Sequence, residues 1–391
     1  MQRRSVLRVL GGGVMAAPAL GLLSACSSAL PPQALAAWQA ATTMEVGTDP
    51  RRWILAHAIL APHSHNLQSW LVDLREPDAI ILHCDLTRLL PETDPYSRQM
   101  MMSQGTFLEV LALAAQEQGY RADIRLFPQG EPGPSRLDTQ PTAHVRLVRD
   151  VSTRPDPLFA QIVHRHTNRE KYDDRAPAPD AVKALFNSMK DFTGLRYGVV
   201  GDEHPKDRAQ HRALAMQAWQ VELETPRTLL ESYRWLRVGP TEIAQHRDGI
   251  SLNSPFVRAL SAVGLFDRSK APAPGDSAIA SQIQTFNDKL STTPAFFYMV
   301  TADNRRSTQV NAGRAYARAQ LAATAHGLSM HPLQQALQEY PEQTANYAEI
   351  RRLLAVDRPE DTVQMWARLG YGPTVEAAPR RGVEAHILKK G

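Results

Sequence analysis

Ala61-Pro62-His63-Ser64-His65-Asn66-Leu67-Gln68-Ser69-Trp70 is the stretch whose reading decides the fold. A helix is expected just before it, from Asp49 or Pro50 to about Leu60, because Asp49 can cap the first turn and proline is tolerated at the first helical position. The stretch is therefore a polar loop leaving a helix, with Trp70 as its aromatic anchor. Its counterpart is Arg165-His166-Thr167-Asn168-Arg169, followed by Tyr172 and Pro177. Two guanidinium groups four residues apart with a hydroxyl between them can converge on one phosphate, whose oxygens match the planar fork of arginine. Taken singly, the first stretch also reads as an ordinary loop and the second as a solvated basic turn.

Working outward, apolar runs at 79–84, 123–127 and 144–148 read as strands, with a helix over 101–118 whose Leu108, Leu111 and Ala115 share a face and which Gly119 ends. The Pro, Gly and Ser of 129–141 make a loop. The pattern then restarts, with helices expected at 179–189, 206–224, 278–290 and 311–326 and strands at 195–200 and 295–301. Between Glu224 and Ala278 the periodicity is weak, and a connection that long reads as a lid or insertion. Strands and helices thus alternate in two unequal halves of an α+β architecture.

Together the two stretches resemble the FMN-dependent nitroreductase family, which has an alanine-proline-serine-serine-x-asparagine-x-glutamine-proline-tryptophan loop and an arginine-x-serine/threonine-x-lysine/arginine motif. His63 stands where the family commonly has serine and Ser69 where it has proline. The resemblance implies FMN as cofactor, with Pro62, His63, Ser64, Asn66 and Gln68 addressing the flavin ring and Arg165, Thr167 and Arg169 its phosphate. Further basic ligands are implied at Arg380 and Arg381. In the family each flavin lies between two subunits, one supplying the loop and the other the phosphate motif. Here both lie in one chain, which implies a nitroreductase-like fold of two fused halves, 38–150 and 151–391, forming an intramolecular pseudo-dimer and acting as a monomer. That arrangement resembles the Acg subgroup, as do Gly327 and Leu328 and the Pro-Arg-Arg end, and it implies a segment covering the flavin, here about 225–277.

The start of the chain resembles a twin-arginine export signal: Arg3 and Arg4, then Ser5, Val6, Leu7 and Arg8, an apolar stretch from Val9 to Leu22, and a lipobox-like Leu23-Ser24-Ala25-Cys26. Residues 1–26 are expected to be a leader, giving a periplasmic protein or a lipoprotein anchored through Cys26. Ala34-Leu35-Ala36 offers a competing cleavage site. Three leader arginines account for most of the +4 net charge, so no nucleic-acid partner is expected. Cys84 is the only other cysteine and reads as a buried strand thiol. His57, His63 and His65 invite a zinc reading, but no compact carboxylate or cysteine set accompanies them, so no metal is expected.

Two functions follow from the resemblance. One is an exported oxidoreductase in which FMN passes electrons from a small-molecule donor to a quinone- or nitro-type acceptor, with no catalytic side chain assigned. The other is a flavin-sequestering or storage protein with a lid over FMN. A surface lipoprotein with an empty flavin fold is a third reading.

Overall fold

The computed structural model describes residues 28–47, 49–203, 205–273 and 275–389. The leader residues, including Arg3, Arg4 and Cys26, lie outside them. The first half holds α1 (Pro32–Thr43), α2 (Pro50–Ala58), β1 (Trp70–Asp73), β2 (Ala79–Cys84), α3 (Arg98–Glu117), β3 (Tyr120–Leu126) and β4 (Ala143–Arg149). The second opens with α4 (Pro179–Ser188), β5 (Leu195–Val200) and α5 (Pro205–Glu224). The long connection that follows is not irregular: it contains α6 (Pro226–Arg234), β6 (Leu236–Val238), α7 (Gly239–His246), β7 (Ile250–Leu252) and α8 (Pro255–Ala262). Then come α9 (Ser277–Ser291), β8 (Ala295–Thr301), α10 (Arg306–Ala325), β9 (Ser329–Pro332), α11 (Thr344–Leu353) and β10 (Thr362–Gly370).

Two antiparallel four-stranded sheets result, ordered β1-β2-β4-β3 and β5-β8-β10-β9. The orders correspond strand for strand, α2 matches α4, and α3 matches α10, so the two halves repeat one plan with the long connection inserted in the second. The α+β expectation is met in both halves. At their junction α3 crosses α10. Gly105 and Gly313 occupy the same position in their twenty-residue helices, and a Cβ on either would lie 1.9 Å from a backbone oxygen of the other helix, Val310 O and Met102 O respectively. Only glycine permits that approach.

After β10 the chain crosses back. Ile387 bridges Val72 on the free edge of β1, with Val72 N donating to His386 O at 2.8 Å and Leu388 N to Val72 O at 2.9 Å. Arg380 N donates to Ala34 O in α1, and Trp38 Nε1 to Ala378 O at 2.8 Å. The tail of the second half thus covers an edge that would otherwise be unpaired.

α1 and β10 were not foreseen. α1 buries Ala34, Ala37, Trp38 and Ala41, so the stretch that offers a competing cleavage site lies within a helix whose Ala34 is in the core. β10 is buried along its whole length although it contains Gln364 and Arg368. Arg368 is accommodated because Nε donates to Thr293 Oγ1, Nη2 donates to the carbonyls of Glu170 and Lys289, and its guanidinium lies 4.0 Å from the Tyr172 ring centre.

Candidate functional site

The loop after α2 is held in an unfavourable backbone conformation. His65, Asn66 and Gln68 have φ of 49°, 55° and 54°, the left-handed region that non-glycine residues rarely enter and that clusters at ligand sites. His63 braces the turn: its Nδ1 meets Ser64 O at 2.8 Å and its Nε2 accepts from Ser69 N at 3.1 Å, which fixes the Nδ1–H tautomer. Burial pushes its pKa down to about 3, so the ring is neutral and the acceptor is kept. Pro62 is buried, and its carbonyl accepts from Thr106 Oγ1 at 2.6 Å. Ser64 N donates to Ser103 Oγ on α3 at 3.2 Å, while its own hydroxyl has only long contacts, 3.3 Å to His65 and 3.4 Å to Gln99.

Asn66 and Gln68 spend their amides on protein. Asn66 Nδ2 donates to Gly249 O at 3.1 Å and Pro379 O at 3.0 Å, and its Oδ1 accepts from Arg380. Gln68 Nε2 donates to Arg247 O at 3.0 Å, and its Oε1 accepts from Arg381 N at 2.9 Å. These side chains tie two separate segments, the 247–249 turn and the 379–381 tail, to one loop.

Around that loop the structure gathers arginines held by carbonyls and amides rather than by ion pairs. Arg165 is buried, donating to Leu60 O at 3.1 Å and Gln320 Oε1 at 3.2 Å. Arg380 is buried beside it, donating to Ala61 O at 3.0 Å and, more weakly, Leu60 O, with its guanidinium 5.5 Å from the Trp38 ring centre. Arg381 reaches Gln68 O. Arg169 is solvent-accessible and makes no hydrogen bond or ion pair among the described residues, yet the surrounding protein removes enough water to lower its pKa. Among the described residues none of these four arginines forms a salt bridge. Desolvation lowers Arg380 to about 9, with Arg165 adding repulsion, and brings Arg165 and Arg381 to about 10. Burial is the main cause in all three, and only Arg381 has carboxylates, Asp248 and Asp85, near enough to offset part of it.

Several buried polar atoms around them have no protein partner: Arg380 Nε, Arg381 Nε, Gln320 Nε2, Tyr316 OH and His166 Nε2. Tyr316, on α10, feels the charge of both Arg165 and Arg169, so both motif arginines lie near its side chain. Thr167 is half-buried between them and pairs through the backbone with Met330 on β9. Gly327 ends α10 with φ of 69°, and Leu328 N then returns to Ala323 O. Leu328 itself is a core residue, so these two shape the approach to β9 rather than offering a side chain to the cluster.

His65 connects this cluster to the inserted segment. Its Nε2 lies 3.2 Å from Ser232 Oγ on α6, and its pKa falls to about 4 through burial, with Arg169 adding repulsion. Asp248 pairs with Arg88 at 2.6 Å and with Arg237 at 2.8 Å, so the turn that supplies the Arg247 and Gly249 carbonyls is itself clamped. The inserted segment is therefore hydrogen-bonded to the loop through Ser232, Arg247 and Gly249. His57 is elsewhere, packed against Trp53 and Phe159, and among the described residues no cluster of His, Cys, Asp and Glu could hold a metal ion. Sequence reasoning missed Trp38, Tyr316, Gln320 and the 247–249 turn. Only Trp38 stood out by type, and nothing local marks the rest.

Glu222, near the end of α5, bears on how the inserted segment is held. It is buried, accepts from Gln338 Nε2 at 2.9 Å, and has Ser232 within reach; burial raises its carboxyl to about 7. The unfolded chain ionises this group near 4.5, so the protonated side chain contributes stability that is complete below that value and lost as pH rises through about 7. Thermal denaturation of Glu222→Gln should lose this part of the pH dependence, which falls between about pH 4.5 and 7 and is worth about 3 kcal/mol at most. An unchanged pH profile would remove Glu222 from that role.

No protein-family model matches the chain, and no curated protein matches it. Solved structures resemble it at low identity. A putative nitroreductase from Anabaena variabilis is 10% identical with a TM-score of 0.45, over 86% of this chain and 91% of that one. The FMN-dependent nitroreductase NfnB from Mycobacterium smegmatis, solved in complex with NADPH, is 16% identical with a TM-score of 0.36, over 59% of this chain and 96% of its own. A nitroreductase with bound FMN from Bacteroides fragilis is 12% identical with a TM-score of 0.31, over 57% and 96%. At such identities, function has to be read from the residues of this chain.

Proposed function

We propose that this protein is an FMN-dependent oxidoreductase of the nitroreductase type, exported and holding one flavin per chain. The observation that carries the reading is the group of unpaired arginines with orphaned donors around them: Arg165, Arg169, Arg380 and Arg381, with Tyr316 OH and Gln320 Nε2. Buried donors of one charge sign need an anion rich in acceptors, and a phosphomonoester supplies one. Arg165, Thr167 and Arg169 would hold the phosphate, with Arg380 and Arg381 adding positive charge from the tail. The strained loop from Pro62 to Gln68 would border the ring, where Ser64 has the hydroxyl least committed to protein partners. When bound, FMN supplies the two-electron redox chemistry. The chain's own residues orient the cofactor, hold positive charge near it and, through the 247–249 turn, exclude water.

A flavin-sequestering role is the second reading, favoured by that turn's hydrogen bonds to Asn66 and Gln68. One experiment separates them. The purified protein should show flavin absorbance and release FMN on denaturation; after anaerobic reduction, the oxidoreductase reoxidises rapidly with a quinone or nitroaromatic compound, whereas a storage protein does not. Colourless protein that takes up no FMN sinks both.

Export by the twin-arginine route, with acylation of Cys26, completes the proposal. Cleavage at Cys26 leaves α1 intact, whereas cleavage after Ala36 would remove Ala34, whose carbonyl holds the Arg380 backbone. Replacing Arg3 and Arg4 by Lys should leave folded, flavin-loaded protein in the cytoplasm, and normal export of that variant would overturn the route.

A further inference from the structure

We infer that the face formed by α8 and the turn after it is a membrane-contact surface that rests on the outer layer of a lipid bilayer. Phe256 is 71% exposed, Val263 68% and Leu265 74%, and Ala259 is exposed between them. Phe256, Ala259 and Val263 follow helical spacing, and Gly264, with φ of 73°, closes the helix so that Leu265 joins them. Apolar side chains this exposed and this close together mark an interaction site rather than the scattered hydrophobics of an ordinary surface. The opposite side of the segment is already used: Phe266 packs on Tyr233 with ring centres 5.8 Å apart, and Arg268 reaches Leu236 O and Glu242.

The occupant is identified by where the N-terminal chain meets this face. Asn253, one residue before the Ser254 cap of α8, donates to Ser28 O at 3.1 Å and Ala29 O at 2.7 Å. Cys26 lies two residues before Ser28, and two residues of chain span at most about 7 Å. α8 itself is only about 12 Å long. An acyl chain on Cys26 would therefore enter the bilayer beside the exposed apolar residues, which is where a second point of contact is most effective, because one weak anchor brings the other to high local concentration. Beside the patch Lys270 pairs with Asp267 and Arg268 with Glu242, so its binding should depend little on salt.

The inference rests on the reading of Cys26 as an acylated residue, and the test keeps the two apart. In the full, processed chain, Ala259→Cys is labelled with an environment-sensitive fluorophore, and Val151→Cys, at a position 95% exposed and far along the chain, serves as the reference. Cys84 is buried, with its thiol pushed up to about 12, and does not compete for the label. Both proteins are mixed with vesicles of phosphatidylethanolamine and phosphatidylglycerol carrying nitroxide lipids, and the mass of the N-terminal peptide reports acylation separately. The expected result is a blue shift and quenching at 259, neither at 151, and little change with salt. Adding Phe256→Ser and Leu265→Ser should weaken the insertion of the label by about tenfold per residue. Quenching at 259 supports the inference whenever the N-terminal mass shows Cys26 to be acylated or absent, so that the label sits at 259 alone. An acylated protein that stays on the vesicles with residue 259 in water overturns it and leaves the lipoprotein reading standing; unacylated protein with no quenching removes both. A shift that grows with protein concentration and ignores vesicles would show that the face pairs two copies of the chain, which also overturns it.

Discussion

Replacing Arg169 by Ala should lower FMN affinity by about tenfold to a hundredfold while leaving the melting temperature of the flavin-free protein unchanged. The magnitude is that of one charge-assisted contact, about 1.5 to 3 kcal/mol. The unchanged melting temperature follows from its surroundings, since Arg169 is an exposed residue whose guanidinium makes no hydrogen bond or ion pair among the described residues. Arg165→Ala should weaken FMN as much but also destabilise the apoprotein, because Leu60 O and Gln320 Oε1 lose a buried donor. Fluorescence titration of FMN with thermal melts of the flavin-free proteins separates the two effects. Full flavin retention by the double variant would end the phosphate assignment, and with it the proposed function.

Gly105→Ala and Gly313→Ala should each destabilise the fold by about 3 kcal/mol or more, and the pair should fold poorly. Each added methyl would sit 1.9 Å from a backbone oxygen of the crossing helix, and no side-chain rotation relieves a clash with backbone. The helices would have to separate along the seam that joins the two halves. Gly133→Ala is the matching control, since nothing lies within 4 Å of its would-be Cβ, and it should be neutral within about 0.5 kcal/mol. Chemical denaturation gives the comparison, and wild-type stability in the two helix variants would show that α3 and α10 can slide apart without loss.

Much of the site was legible because its signals are local. Asp49 does accept from Arg51 N at the start of α2, with Pro50 in the first turn, and the loop after it carries the polar residues that the sequence displays. The Arg-x-Thr-x-Arg spacing alone points to an anion. What could not be read is which groups would be consumed by protein partners. Asn66 and Gln68 look like free ligands in the sequence, and their commitment to Pro379, Arg381 and the 247–249 turn depends on chain segments more than a hundred residues away.

The same division runs through the fold. The sequence by itself determined the helix starts, the strands rich in apolar residues, the restart of the pattern after residue 178 and the pairing of a loop motif with a basic motif, since capping, periodicity and side-chain chemistry act within a few residues. Tertiary structure alone decided that Thr362–Gly370 is a buried central strand, because Arg368 becomes tolerable there only with Thr293, Glu170 and Lys289 around it. It also decided that the tail returns to α1 and β1, and that it brings Arg380 and Arg381 to the same loop that Arg165 reaches, with no salt bridge to any of the three among the described residues. Burial and charge balance are sums over everything that surrounds a group, and no window of neighbouring residues contains those terms.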